Sequence, residues 1–287
     1  MKQLLLPVAL VAISLSARAQ DGSFHLDKEY AIATNGTVDL SSSDADVIIT
    51  GTKRKNAHVK IDRKVEVKGW TWGDRDFKVE VETLGNDLRI RERHSSGSVS
   101  IVGSYREEYK IQIEVPESVS LKVRGDDGDY YVKNINGEIS ISADDGDIEL
   151  VGCKGNRFFI RLDDGDLKME RGAGSLDIVA DDADVVVYDG AFTSIHADVD
   201  DGDLRIETSL ADNGDYQLES EDGHIELSIT SGGGEFDIRH DDGRIVTEGA
   251  FEKLEKTESH THLSLKGGNA KVNFRMDDAS VRLIASR

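Results

Sequence analysis

The sequence predicts an all-β protein: a single parallel β-solenoid (β-helix) with two strands per coil and coils of about 18–21 residues. Three observations predict it. An acidic cluster written "DDGD" recurs at nearly constant spacing, apolar residues alternate on both sides of each cluster, and no helical periodicity competes with that alternation.

In chain order, the first element is a leader. Lys2 is followed by the apolar run "LLLPVALVAISLSA" and by Ala17-Arg18-Ala19, a small-x-small cleavage pattern, so residues 1–19 read as a signal peptide. Residues 20–287 then form one domain, exported to the periplasm, the cell surface or the extracellular space. No further segment of this mature chain has the length and apolarity of a membrane span.

Residues 24–120 read as irregular, longer coils. Phe24 to about Thr50 begins or caps the solenoid, and "SDADVII", centred on Ala45, is an early repeat. "GNDLRI" around Asn86 looks like another. The stretches "VKGWTWGDRDFKVEVETLGNDLRI" and "HSSGSVSIVGSYREEYKIQIEVP" suggest protruding hairpins. Trp70 and Trp72 share one face of such a strand, as a hydrophobic cap over the first coils or as a platform for sugar rings.

Residues 121–287 carry the regular repeats. The third position of the cluster falls at Gly128, Gly146, Gly165, Ala183, Gly202, Gly223, Gly243, Thr261 and Ala279. Two and four positions later, the residues are apolar in nearly every copy (Ile148 and Leu150, Leu167 and Met169, Val185 and Val187), which is a strand with one buried face. A second alternating segment precedes each cluster, as in Ile139-Ile141-Ala143 and Phe158-Ile160-Leu162. Gly137, Gly155 and Gly174 mark the other turn of the coil. The final strand, "ASVRLIASR", is expected to close the C-terminal end.

The segment "YKIQIEVPESVSLKVRGDDGDYYVKNINGEISISADDGDIELVG" resembles a widespread bacterial family of secreted or envelope-associated proteins known as putative adhesins, a domain of unknown function. The matching features are the "IEVP" strand end at Ile113–Pro116 and the repeated "G-D-I-x-L" and "N-G-x-I-x-I" segments. The resemblance implies a single-domain β-solenoid without catalytic residues. The Asp pair before most glycines departs from the family pattern, where Ser, Thr or Asn is more usual.

Stacked coils would align the aspartates in two columns: Asp127, Asp145, Asp164, Asp182, Asp201, Asp222 and Asp242 in one, and Asp129, Asp147, Asp166, Asp184 and Asp203 in the other. The second column continues to His224, Arg244 and His262. Like charges about 4.8 Å apart repel, and salt with a Debye length of about 8 Å hardly screens them. The repulsion can be offset by backbone N–H donors at the turn, by fanning into solvent, or by a bound cation such as Ca²⁺. The first is the simplest reading. The ten aspartates from Asp127 to Asp203 are therefore a candidate metal ladder, with Ca²⁺ as its candidate cofactor. His260 and His262 are a weaker candidate for a transition metal.

Formal net charge is −21, which excludes nucleic acid as the main partner. The single cysteine, Cys153, excludes an internal disulfide and reads as a small turn residue. Carboxylates that recur in every coil single out no acid/base pair, so an enzymatic role is not expected. The reading is a non-enzymatic envelope or surface protein that binds a cell-surface protein or glycan. The alternatives are a Ca²⁺-binding acidic β-roll or a polysaccharide-active β-helix enzyme.

Overall fold

The structure is a computed structural model and describes residues 23–72, 77–94, 100–241 and 243–286. The expected signal peptide lies outside the described residues, as does Asp242. The described residues form 22 β-strands joined by turns, with no helix among them.

The middle of the molecule is a stack of levels, each a strand, an acidic turn and a second strand. Ile139–Asp145 pairs in parallel with Arg157–Asp164, which pairs with Ala173–Asp182. On the other side of the turn, Ile148–Val151 pairs with Leu167–Glu170, and Leu167 in turn faces Val185. Ile148, Leu167 and Val185 therefore occupy successive levels, as the repeat predicts, and all three are buried.

Alternation is what makes this possible. Every second residue points inward, so equivalent residues of successive levels form columns. One column runs Leu40, Val123, Ile141, Ile160, Ile178, Ala197 and Leu218, each opposite the next. Each full-sized aliphatic member contributes about 1.5–3 kcal/mol of burial.

Both turns need close approach between levels. A Cβ on Gly174, which has φ +131°, would lie 1.9 Å from the carbonyl oxygen of Gly155 in the level before it. A Cβ on Gly146 would lie 2.4 Å from the carbonyl oxygen of Gly128. At these two positions a side chain would collide with the backbone of the neighbouring level, so glycine is needed there, while Ala45, Ala183 and Ala279 fill the acidic-turn position of other levels as buried residues.

The stack does not follow chain order at its ends. At the C-terminal end, Asp215–Ser231 pairs in parallel with Ala270–Met276 and Ser280–Ala285, and these pair in turn with Gly234–His240 and Ile245–Glu248. The last level in sequence, centred on Ala279, is thus inserted between the Gly223 and Gly243 levels. The expectation that "ASVRLIASR" closes the end is corrected: Val281 and Leu283 have neighbours above and below and are fully buried.

The Thr261 copy is a second correction. His260–Leu265 runs antiparallel to Gly234–His240, with Ile238 opposite Thr261, so it is a hairpin strand and not a coil. Glu252–Lys256 completes this hairpin as an outer strand, all five residues exposed, and its charges suit an unpaired edge.

The N-terminal end repeats the device. Thr37–Ser41 and Asp46–Thr52 lie between Ser120–Gly125 and Tyr130–Lys133 on one side and Asp87–His94 and Ser100–Pro116 on the other. The Ala45 repeat is therefore an interior level, although 83 residues separate it from its Gly128 neighbour (128 minus 45). Ala57–Trp72, Phe77–Leu84 and Phe24–Tyr30 add antiparallel strands outside that level. The sheet is thus mixed: parallel in the middle, antiparallel at both ends. A purely parallel arrangement is not what is observed.

The N-terminal end is sealed by an aromatic cluster. Phe24, Phe77 and Tyr109 pack edge to face, and the buried Arg63 guanidinium lies 4.1 Å from the Phe77 ring centroid and pairs with Glu107. Trp70 is 74% exposed and contributes nothing to this seal, so the cap expected from the tryptophans is built by other residues. The Trp72 side chain is outside the described residues.

Candidate functional site

The aspartate columns form as the repeat predicts. In the first, Asp145, Asp164, Asp182, Asp201 and Asp222 lie directly opposite one another in successive levels. Asp127 occupies the same turn of the Gly128 level, where its N–H and that of Asp126 donate to the Ser43 carbonyl. Proximity has an electrostatic cost here. Desolvation, then repulsion from Asp145 and Asp182, raises the pKa of Asp164 above the ordinary carboxylate value, and Asp201 is raised by desolvation and by Asp182 and Asp222.

The second column is held by the backbone. The N–H of Asp147 donates to Asp129 Oδ1 at 3.1 Å, that of Asp166 to Asp147 Oδ1 at 3.0 Å, and that of Asp203 to Asp184 Oδ1 at 2.8 Å. Main-chain bonds run beside them: the Ile148 N–H donates to the Asp166 carbonyl, and that of Leu167 to the Asp184 carbonyl. Backbone donors thus offset the charge of the row, and the donors belong to the next level rather than to the same turn.

The column continues to His224 and then to Ser280, whose Oγ lies 2.8 Å from His224 Nδ1. His262 is not part of it, since its strand runs the other way. His260 and His262 pair separately with Asp237, at 2.8 Å, and Glu235, at 3.7 Å. Burial opposes ionisation of Asp237, but the hydrogen bonds and charges of His260 and Arg239 together outweigh it and hold the carboxyl below its usual value. Among the described residues, no group of three or more His, Cys, Asp or Glu side chains is placed to hold a metal ion. Cys153 is fully buried, and desolvation pushes its thiol pKa up.

Beside the second aspartate column lies a groove of about 530 Å³. One wall is Asp46, Asp129, Asp147, Asp166 and Asp184. Its floor is the next outward-facing column, Ile48, Tyr131, Glu149, Lys168 and Val186, with Tyr188 at one end and Lys110 at the other. Five adjacent strands make it roughly 19 Å long at about 4.8 Å per strand. Lys168 is committed to Glu149 and Glu170, at 3.1 and 3.2 Å. The groove was not anticipated from the aspartates alone. Its signal in the sequence is the apolar residue two positions after the acidic column, at Ile48, Tyr131 and Val186, on a face where strand alternation calls for polar groups.

Stacked two-strand levels joined by tight turns of small residues define a repeat protein of the all-β class. The chain belongs to the Toastrack DUF4097 family, whose model matches residues 35–280. No curated protein matches it. Similar solved structures include a "putative adhesin" from Bacteroides fragilis NCTC 9343, at 12% identity over 91% of this chain and 97% of that one, with a TM-score of 0.44. Another "putative adhesin", from Parabacteroides distasonis ATCC 8503, has 9% identity over 92% and 98%, and a TM-score of 0.42. A "putative cell adhesion protein" from Clostridium sporogenes ATCC 15579 has 12% identity over 92% and 100%, and a TM-score of 0.33.

Proposed function

We propose that this chain is an exported, non-enzymatic binding protein of the cell envelope or surface, built as a β-solenoid whose long face receives an elongated ligand. The observation that carries this reading is the groove: a cleft over five strands with a row of carboxylates on one wall and half-buried apolar groups on its floor. Stacked levels repeat one weak contact along an axis, and repeated contacts add along a polymer. Equivalent carboxylates on every level suit repeated contact better than acid/base chemistry, which needs two groups in unlike environments. An envelope protein or glycan is the partner class.

The test uses the full chain, fluorescently labelled, with isolated bacterial envelopes. Val186→Arg places a long cation on the groove floor. Loss of envelope binding in this variant, with its melting temperature unchanged, is the expected result. Undiminished binding would remove the groove from the function.

A further inference from the structure

Resting on that groove, we infer that its occupant is an extended, Lys/Arg-rich segment of a partner polypeptide. The lining holds six carboxylates (Asp46, Asp129, Asp147, Glu149, Asp166 and Asp184) and only two ammonium groups, one of which is already paired within the protein. The deficit is for positive charge.

Asp129, Asp147 and Asp184 spend Oδ1 on the backbone of the next level. This fixes each side chain and leaves the second oxygen as an oriented acceptor. The row is therefore preorganised, and a ligand cation need not order it. A small cation would use the wall alone. A long-stemmed cation uses both surfaces: methylenes lie on Ile48, Tyr131 and Val186 while the head reaches the aspartates. Tyr131 and Tyr188 add ring faces that attract a guanidinium or ammonium. Lys and Arg side chains combine these two requirements. Their flexible stems also absorb the mismatch between about 4.8 Å per level and about 6.8 Å between same-face residues of an extended segment.

The experiment is fluorescence anisotropy of a labelled peptide of alternating Lys and Leu, about six residues long to match the groove. Because a chain of net charge −21 attracts any cation, the comparison is between variants that lose the same charge. Asp147→Asn with Asp166→Asn changes the wall, and the amide introduced at position 147 keeps an oxygen for the next level's N–H. Asp198→Asn with Glu219→Gln removes two facing acidic groups outside the groove. With each exposed charge pair worth up to about fivefold, the groove pair should weaken binding about tenfold and the distant pair less than about twofold. Tyr131→Ser should weaken it as well.

Equal losses from the two pairs would reduce the effect to diffuse electrostatics and overturn the inference. So would peptide binding indifferent to Tyr131. If the peptide does not bind while Val186→Arg still abolishes envelope binding, the occupant is wrong and the groove reading stands. If Val186→Arg also leaves envelope binding intact, both fail.

Discussion

The order of levels at the C-terminal end can be tested by side-chain coupling. Leu283 is fully buried, and its register neighbour is Leu227 of the Gly223 level. A stack that followed chain order would instead place Leu265 beside it. In the structure the strand of Leu265 pairs with Gly234–His240, two levels from the Ala279 level, or about 9.6 Å along the axis. Leu283→Ala removes a buried side chain with levels on both sides, so it should cost about 2–5 kcal/mol. A typical domain has only about 5–15 kcal/mol to lose, so the effect is large but measurable by urea unfolding. In double-mutant cycles, Leu283→Ala with Leu227→Ala should show a coupling of about 0.5–3 kcal/mol, whereas Leu283→Ala with Leu265→Ala should add within about 0.5 kcal/mol. The opposite pattern would mean that the levels stack in sequence order and that the inserted level is wrong.

Other outcomes follow from the same structure. The carboxyls of Asp164 and Asp201 have raised pKa values, so their contribution to stability is fully present below the unfolded value of 3.8 and is lost as pH rises through the higher folded value. Asp164→Asn and Asp201→Asn should therefore raise the melting temperature at pH 7, and the gain should vanish in scans below about pH 4. Gly174→Ala forces a Cβ against the Gly155 carbonyl at a positive φ and should cost about 1–3 kcal/mol in denaturant unfolding. Arg63→Ala takes the buried cation of the N-terminal seal away from Glu107 and should cost about 3 kcal/mol, while Trp70→Ala should change stability by less than about 0.5 kcal/mol.

Much of the fold is legible because repetition is a local signal. The spacing of Gly146, Gly165 and Ala183 and the alternation around them predict which residues face inward, and neighbouring levels obey that pattern because each turn positions the next strand. The aspartate columns follow from the same register. Where the repeat decays, the prediction decays with it. "SHTHL" keeps the frame of a coil, but its chain direction depends on which strand it meets.

What the sequence determined by itself is the level: two strands, two tight turns and one buried face, dictated by alternation and by the sterics of close backbone approach. Only the tertiary structure decided the order in which the end levels stack and the formation of a groove beside the acidic row. The physical reason is that every level presents nearly the same apolar edge. Local chemistry cannot distinguish one neighbour from another, and the choice falls to whichever arrangement leaves fewest strand edges and apolar side chains uncovered across the whole molecule.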